Sequence, residues 1–231
     1  MIEFLEWDSN FFGYKIGKFE YSNEISIDKL FKTDYRLIYL ISENEITNLG
    51  ENLVDKKAIF CQQLTKKRNI DFGEIIVKEF EPNINSYSEL LELSYNSGTY
   101  SRFYTDKNFK NNEFQKLYKK WIDNSLHGKT NYKIFVAQTG ENELLGFITL
   151  GEKKEGLNDI GLLAVHPKSR GKKIGTKLIE FAKDYSLKNE ISQIQVVTQL
   201  QNKPATKLYE STGFLLKELN YIYHIWNHDT I

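Results

Sequence analysis

Hydrophobic and polar positions divide the chain into two parts with different patterns. In the first part, the apolar runs 36–41 and 58–63 predict two buried strands, with a short helix in the polar segment between them. We interpret residues 1–72 as a small α/β unit. The pattern restarts near Glu74, and we assign residues 73–231 to a second, larger domain.

The second part alternates strands and helices in a definite order. A strand is predicted at 75–77, followed by helices at 86–98 and 112–126. The whole order is β-α-α-β-β-β-α-β-α-β-β, which predicts an α/β (α+β) fold with a mixed sheet and helices on both faces. The remaining strands and helices are predicted at 133–138, 144–150, 160–165, 174–188, 193–198, from 202 onward, at 214–218 and at 221–226.

Charge and cysteine content narrow the function classes. Lys plus Arg and Asp plus Glu number 31 each, so no net field attracts nucleic acid or an anionic membrane. The single cysteine, Cys61, excludes an internal disulfide framework, and its apolar neighbours predict a buried strand thiol. No apolar run reaches the roughly 20 residues that a membrane span needs, and the N-terminus has no basic leader pattern. We therefore expect a cytoplasmic protein.

The histidines do not indicate a metal site. No pair of them has metal-ligand spacing, and we predict no metal. We interpret the histidine of the segment YIYHIW as a strand side chain. The four histidines are His127, His166, His224 and His228.

A basic loop between a buried strand and a helix is the first candidate site. Residues 160–178 read IGLLAVHPKSRGKKIGTKL. Loop amides and the positive end of a helix dipole converge there, and lysines and an arginine add formal charge, so the segment has the chemistry of an anion site. Gly171 and Gly175 allow a close backbone approach or a positive φ. For this loop alone, a solvated basic turn ahead of an ordinary helix remains an equal alternative.

The loop resembles the pyrophosphate loop of the Gcn5-related N-acetyltransferase (GNAT) superfamily, Arg/Gln-x-x-Gly-x-Gly/Ala. Here it reads RGKKIG, with Lys173 where the family usually has glycine, and the Lys173 amide can still donate if its φ is negative. The resemblance implies a mostly antiparallel central sheet, acetyl-CoA or another short acyl-CoA as co-substrate, and a strand amide that polarises the thioester carbonyl. The cofactor-binding residues implied are Leu163, Ala164, Val165, Arg170, Gly171, Lys172, Lys173, Ile174, Gly175, Thr176 and Asn202.

A second motif follows at 202–214, NKPATKLYESTGF. It matches the superfamily segment Asn-x-x-Ala-x-x-Leu-Tyr-x-x-x-Gly-Phe without a departure. Asn202 is a good helix N-cap and Gly213 a good stop, and the spacing puts Asn202, Ala205 and Tyr209 on one face. The resemblance implies that Tyr209 is the catalytic general acid. The alternative is a core tyrosine in a capped helix.

Two further segments resemble the dTDP-fucosamine acetyltransferase branch of the superfamily. They are LEWDSNFFG at 5–13, whose aromatics we interpret mainly as packing residues, and SGTYSRF at 97–103. Arg102 could form a bidentate pair with a nucleotide diphosphate, and the flanking aromatic rings could stack on thymine. Fold-specific packing of this segment is the alternative. The substrate-binding residues predicted from this segment are Tyr100, Ser101, Arg102 and Phe103.

The function expected is transfer of an acetyl or short acyl group to the amine of a dTDP-linked amino-dideoxy sugar, as in lipopolysaccharide or O-antigen biosynthesis. The partner expected is this small molecule, not nucleic acid or a membrane, and a homodimer is left open. Two alternatives remain: a GNAT enzyme acting on a peptide or another small amine, and a CoA-binding module without turnover. Glu152 and Asp159 are weak candidates for a general base. The sequence does not show whether the amine is at C3 or C4 of the sugar, and it does not show the length of the acyl group.

Overall fold

The computed structural model describes residues 1–22, 27–65 and 73–227. Ten strands, six α-helices and three short 3-10 segments follow each other along these residues. In chain order they are β1 Glu3–Phe4, α1 Glu6–Phe12, β2 Ile16–Glu20, a 3-10 turn Ile27–Lys32, β3 Leu37–Ser42, a 3-10 turn Thr47–Asn52, β4 Leu53–Gln63, β5 Ile76–Glu79, α2 Tyr87–Ser97, α3 Arg102–Thr105, α4 Glu113–Leu126, β6 Lys133–Gln138, β7 Leu144–Lys154, β8 Leu157–Val165, a 3-10 turn Pro167–Ser169, α5 Ile174–Lys188, β9 Gln193–Gln199, α6 Lys203–Ser211 and β10 Leu215–Trp226.

The chain forms two compact units, and neither is continuous in sequence. The first contains Met1–Ala58, Gln199–Gln201 and Glu218–Ile231, and the second contains Ile59–Thr198 and Asn202–Lys217. The unit boundary therefore runs through strands β4 and β10, whereas the sequence pattern placed a domain boundary at residue 72. Residues 66–72, next to that predicted boundary, and His228 lie outside the described residues. Assignment of acyl transfer to 73–231 alone stays a prediction.

The first unit is a sheet in the order β1-β2-β3-β10-β4. β2 and β3 are parallel, and β3 pairs antiparallel with the second half of β10. Its core contains Phe19, Ile38, Leu40, Tyr223 and Ile225, all nearly inaccessible to solvent. Period-2 alternation on β3 and β10 sends these side chains to one face, as expected for half-buried strands.

Helix α1 supplies the aromatic surface of the first unit. Trp7 and Phe11 stack with ring centroids 5.1 Å apart, one helical turn from each other, and Phe11 meets Phe12 edge-on at 4.9 Å. These rings contact one another, but no residue of α1 is buried and Trp7 keeps 49% of its surface exposed, so the packing role predicted for them stays a prediction. Gly13 ends α1 in the left-handed region with φ of 81°.

The second unit carries the β-sheet of the sequence prediction. Its order is β4-β9-β8-β7-β6-β5, in which β8 and β9 are parallel and β5 to β8 are antiparallel. Ile134 and Val136 of β6 pack with α2 and α4, whereas Phe135 between them packs on Phe181 and Tyr185 of α5 at 4.9 Å each. Alternation along one strand thus covers both faces of the sheet with helices. The predicted fold class is confirmed.

One predicted element is wrong. The sequence pattern was divided into two closing strands, 214–218 and 221–226, but the structure has the single strand β10. No Gly or Pro lies between Leu215 and Trp226, so nothing in the segment interrupts an extended backbone. Cys61 also differs slightly from expectation, because its place on β4 leaves it only partly buried.

We expect a close glycine contact to hold α2 against α4. A Cβ at Gly98, the C-cap of α2, would lie 2.3 Å from Tyr118 Cζ and 2.6 Å from Phe114 Cε2. Gly98→Ala should therefore lower the free energy of unfolding by about 1–3 kcal/mol, because both rings must move. Urea denaturation measures the change. Gly140→Ala is the control, since its Cβ would meet nothing within 4 Å. Equal effects of both substitutions would contradict the packing argument.

Candidate active site

The candidate site begins where strands β8 and β9 stop pairing. Their parallel ladder runs from Leu157–Gln193 to Ile160–Val196, and no further pair follows, although β8 continues to Val165. We name this point, just beyond the Ile160–Val196 pair, the fork. Along β8, residues 157–160 are buried, whereas Gly161 is exposed and the next residues are half-buried. The fork therefore opens one edge of β8 to a ligand.

A β-bulge lies immediately past the fork. On the other side of β8, Thr149 of β7 faces two residues, Gly161 and Leu162, and the register shifts by one residue there. The Leu162 N–H donates to the Thr149 hydroxyl at 2.7 Å, so the bulged amide is satisfied by a buried side chain. Bulges bend a strand and re-aim its groups. This one turns β8 after the last residue that β9 holds.

The direction of each peptide group beyond the bulge follows from the ladder. The His166 N–H donates to the Leu145 carbonyl at 2.8 Å, next to the pairs Gly146–Val165 and Phe147–Ala164. Because antiparallel pairs alternate between bonded and non-bonded, the peptide groups of Ala164 face β7. Those of Leu163 and Val165 face the opposite edge, toward the opening at the fork. Of the three strand residues predicted to hold a cofactor, Leu163 and Val165 can thus offer backbone groups, and Ala164 cannot.

The basic loop after β8 leads to a helix end that no side chain caps. Lys173 is the N-cap of α5, it makes no capping hydrogen bond through its side chain, and no acidic residue lies in the first turn. The first amides of the helix, from Ile174 to Thr176, point outward with the dipole behind them. Arg170 and Lys172 are exposed beside them. This arrangement can bind an anion such as a pyrophosphate.

Two residues of the loop adopt left-handed backbone conformations. Gly171 has φ of 78°, with open space around its Cβ position, so conformation alone requires glycine there. Lys173 has φ of 58°, so the negative φ on which donation by its amide was made conditional is not present. The residue therefore keeps the backbone conformation that favours the glycine usual in the family, and bears the strain of a side chain in that region.

Of the two reasons predicted for glycine at position 175, the positive φ does not apply, and close approach to a ligand stays a prediction. Gly175 lies inside α5 with a helical backbone, so no positive φ requires it. A Cβ there would lie 2.9 Å from Leu208 Cδ2 of α6 and 3.6 Å from Val165 Cγ2 of β8. The missing side chain lets the end of β8, the start of α5 and helix α6 meet at one point. Ile174 beside it is a core residue, exposed by only 1%, and contributes packing and its amide.

Helix α6 carries the predicted acid. Asn202 is its N-cap and accepts a hydrogen bond from the Ala205 N–H at 3.3 Å, as the motif predicted. Tyr209 is 5% exposed, between the rings of Phe60 and Phe214 at 6.0 Å each. No hydrogen bond from a described residue reaches the Tyr209 hydroxyl. Burial raises the pKa of this phenol, so it stays protonated and able to donate.

The segment with the predicted substrate residues forms the turn into α3. Ser101 is its N-cap and accepts from the Phe103 N–H at 3.3 Å, and both residues are buried. Phe103 packs on Phe109 at 5.5 Å. These two residues therefore have structural contacts, whereas Tyr100 is 37% exposed, and substrate binding by this segment stays a prediction. The Arg102 guanidinium lies 4.7 Å from the Phe103 ring centroid, a cation–π contact that orients it.

Both carboxylates considered as a base accept hydrogen bonds within the fold. Glu152 accepts from the Gly156 N–H at 2.9 Å and closes the turn between β7 and β8, at the end of β8 away from the fork. Asp159 accepts from the Tyr132 hydroxyl and from Gln195 Nε2, at 2.6 Å each. The sequence reasoning missed Tyr132 and Gln195. Tyr132 lies just before β6, and Gln195 lies on the mixed strand QIQVVTQ, so neither residue had a local signal.

The described residues provide no alternative centre for metal chemistry. In 1–22, 27–65 and 73–227, no group of three or more His, Cys, Asp or Glu side chains is arranged to hold a metal ion. His224 is a buried strand side chain of β10, with its ring 5.1 Å from that of Tyr39, as predicted.

Among the helices in the described part of the chain, none combines the length and apolar character that crossing a membrane requires.

Comparison with known families agrees with this geometry. Residues 92–214, more than half of the chain, match the model of the acetyltransferase (GNAT) family. The matched range includes the fork, the basic loop and Tyr209. The chain therefore belongs to the GNAT acetyltransferase family, which uses acetyl-CoA, and the family prediction is confirmed. Membership supports the prediction of an acyl-CoA-dependent N-acyltransferase.

Two curated relatives have names that point to sugar chemistry. The spore coat polysaccharide biosynthesis protein SpsD of Bacillus subtilis is 28% identical over 145 residues, 63% of this chain and 49% of the relative. The dTDP-fucosamine acetyltransferase of Escherichia coli is 26% identical over 98 residues, 42% of this chain and 41% of the relative. The chain thus spans less than half the length of these two relatives.

A solved GCN5-related N-acetyltransferase from Sphaerobacter thermophilus shares the fold. It superposes with a TM-score of 0.57 at 12% identity, covering 84% of this chain and 61% of that one.

We expect the strain at Lys173 to be measurable. Lys173→Gly should raise the free energy of unfolding by about 1 kcal/mol, because glycine tolerates the left-handed conformation. Lys172→Gly removes the same charge from a neighbour without a positive φ and should lower stability by about 0.5–1 kcal/mol. Thermal and urea unfolding of the two variants provide the comparison. Destabilisation of equal size by both would show that the Lys173 conformation bears no strain.

Proposed function

We propose that the chain transfers an acetyl or other short acyl group from acyl-CoA to the amine of a dTDP-linked amino-dideoxy sugar. The observation that carries the acyl-CoA part is the juxtaposition of the open Leu163 and Val165 peptide groups with the uncapped start of α5. An extended chain of amides ending in a pyrophosphate fits such a surface. The strand groups would pair with the amides, and the helix amides with Arg170 would hold the phosphates.

Acyl-CoA supplies the acyl group as an activated thioester. The amine nitrogen attacks the carbonyl carbon, the new C–N bond forms, the C–S bond breaks, and the amine proton passes to water. In this chain an amide of Leu163 or Val165 donates to the carbonyl oxygen as negative charge develops there. Tyr209 donates its hydroxyl proton to the departing sulfur, and the proton released from the amine returns through water to the Tyr209 oxygen. Water as proton acceptor accords with the engagement of Asp159 and Glu152 in structural hydrogen bonds.

The surroundings of Tyr209 favour an acid over a base. The ring is buried between two phenylalanines, so ionisation would place a phenolate in an apolar setting, and the pKa is raised accordingly. A protonated phenol can donate throughout the neutral range. The same burial is also expected if Tyr209 is only a packing residue. A substitution that removes the hydroxyl and keeps the ring distinguishes the two roles.

Tyr209→Phe should lower kcat at least tenfold while acetyl-CoA affinity and Tm stay nearly unchanged. It deletes the proton donor and keeps the ring, and positioned acids contribute about 10²–10⁴-fold. Because only the protonated form donates, the contribution of Tyr209 should be lost only as pH rises through its raised pKa, above the ordinary value of about 10. Steady-state kinetics and a pH profile test both points. A folded variant with kcat within twofold of wild type would make Tyr209 a packing residue.

Support for the sugar acceptor comes from the turn into α3. Tyr100 is partly exposed there, and the Arg102 guanidinium is oriented by Phe103. A planar guanidinium suits a diphosphate, and an exposed ring suits a nucleobase. The polysaccharide and dTDP-sugar names of the two curated relatives point in the same direction. The acyl length and the position of the amine on the sugar are left open in this proposal.

Arg102→Ala should weaken binding of dTDP at least tenfold in calorimetry, with CoA binding unchanged. Arg102→Lys should recover only part of the loss, because lysine keeps the charge but not the bidentate geometry. Lys110→Ala, which removes an exposed charge a few residues further on, is the matched control. If wild-type protein bound CoA but not dTDP at millimolar concentration, the acceptor would be a peptide or another small amine. Binding of CoA without turnover of any amine would indicate a non-catalytic module.

A further inference from the structure

A buried carboxylate joins the two strands immediately before the fork. Asp159 of β8 and Gln195 of β9 are direct neighbours in the parallel ladder, one residue before the last pair. Gln195 Nε2 donates to Asp159 Oδ1 at 2.6 Å. Asp159 is 8% exposed and Gln195 6%, so water does not compete effectively for this bond. An inter-strand side-chain bond therefore marks the end of β-pairing.

Tyr132 holds the other oxygen of the same carboxylate. Its hydroxyl donates to Asp159 Oδ2 at 2.6 Å, and burial together with the Asp159 charge raises the pKa of the phenol, which keeps it a donor. The Tyr132 ring also covers two glycines. Cβ atoms at Gly151 and Gly161 would lie 2.9 and 3.0 Å from ring atoms. Tyr132 thus contacts the bulge past the fork while bonding the residue before it.

This hydrogen-bond network differs from apolar packing because it fixes the distance and direction between the groups it joins. Apolar side chains would stabilise the ladder equally well, and a buried charge requires both partners to offset its desolvation. Hydrogen bonds to a carboxylate fix distance and direction, whereas apolar contacts tolerate sliding. Asp159 thereby ties one residue of β9 and one ring beside β7 to a single point of β8.

We propose that Tyr132, Asp159 and Gln195 are positioning residues that fix where β8 and β9 separate, and that they thereby set the place of the acyl-CoA-binding edge of β8. The inference rests on the proposed function only in that acyl-CoA binds along Leu163 and Val165. A strand rises about 3.3 Å per residue, so each additional paired residue would move the fork by that distance. Pairing through Leu162 would bring β9 up to Leu163 and cover the groups that face the opening.

The experiment compares binding of two probes by calorimetry. Acetyl-CoA spans the fork and the basic loop, whereas adenosine 3′,5′-bisphosphate has no pantetheine arm and cannot reach the fork. Gln195→Leu should weaken acetyl-CoA binding about tenfold or more, because misplacement of about 1 Å is costly, and should leave the nucleotide within twofold of wild type. Tyr132→Phe keeps the ring and should lower the affinity for acetyl-CoA relative to the nucleotide in the same way. This variant replaces Gln195→Leu in the test if Gln195→Leu does not fold.

Ser186→Ala is the matched control. Ser186 accepts a hydrogen bond from Asn158 Nδ2 at 2.7 Å, a buried bond on the residue next to Asp159 that does not reach β9. It should lower Tm as a lost buried bond does, without changing the ratio of the two affinities. Equal weakening of both probes in Gln195→Leu and Tyr132→Phe, or the same ratio change in Ser186→Ala, would overturn the positioning role.

Amide hydrogen exchange of the ligand-free protein provides a readout independent of binding. Gln195→Leu should change protection at residues 161–165, and Ser186→Ala should not. Unchanged protection there would refute the inference even if acetyl-CoA affinity fell. Failure of the wild type to bind acetyl-CoA would count against the proposed function, while the exchange comparison would still decide whether the network fixes the fork.

Discussion

The candidate site depends on the separation of two parallel strands that are otherwise well paired. Backbone groups inside a sheet bond one another, and a ligand can use them only where the ladder ends. In this chain the ladder between β8 and β9 ends at Ile160–Val196, while β7 continues to support β8 from the other side. The exposed edge therefore stays rigid although it lacks one neighbour. That combination gives a ligand pre-ordered amides without a local folding cost.

The positive potential at the start of α5 comes from local groups and not from the net charge of the chain. Positive and negative side chains balance over the chain, yet no acidic residue enters the first turn of α5. Amides, a dipole and exposed cations then act on the same volume within a Debye length of one another. The left-handed Lys173 shows that this arrangement is held against a conformational preference. Local strain of this kind is often found where function rather than stability selects the backbone.

Much of the second unit could be predicted from the sequence because its signals are local. Periodicity gave strands β6 to β8 and helices α2, α4 and α5, and the spacing from Asn202 to Tyr209 gave the face of α6. The features of the site that the sequence does not predict depend on how the strands align with one another. The opposite directions of Leu163 and Ala164 follow from which ladder pairs are bonded, and the contact of Gly175 with Leu208 joins residues far apart in the chain. Pairing of Asp159 with Gln195 is likewise a product of strand alignment.

Strands β4 and β10 each pass from one compact unit into the other, so the first unit is assembled from three separate stretches of sequence. In the first unit, Tyr221–Trp226 pair with β3 and supply Tyr223 and Ile225 to its core. No single cut in a gene could remove this unit whole. Truncation of the first unit would therefore also cut strands β4 and β10, which the second unit shares.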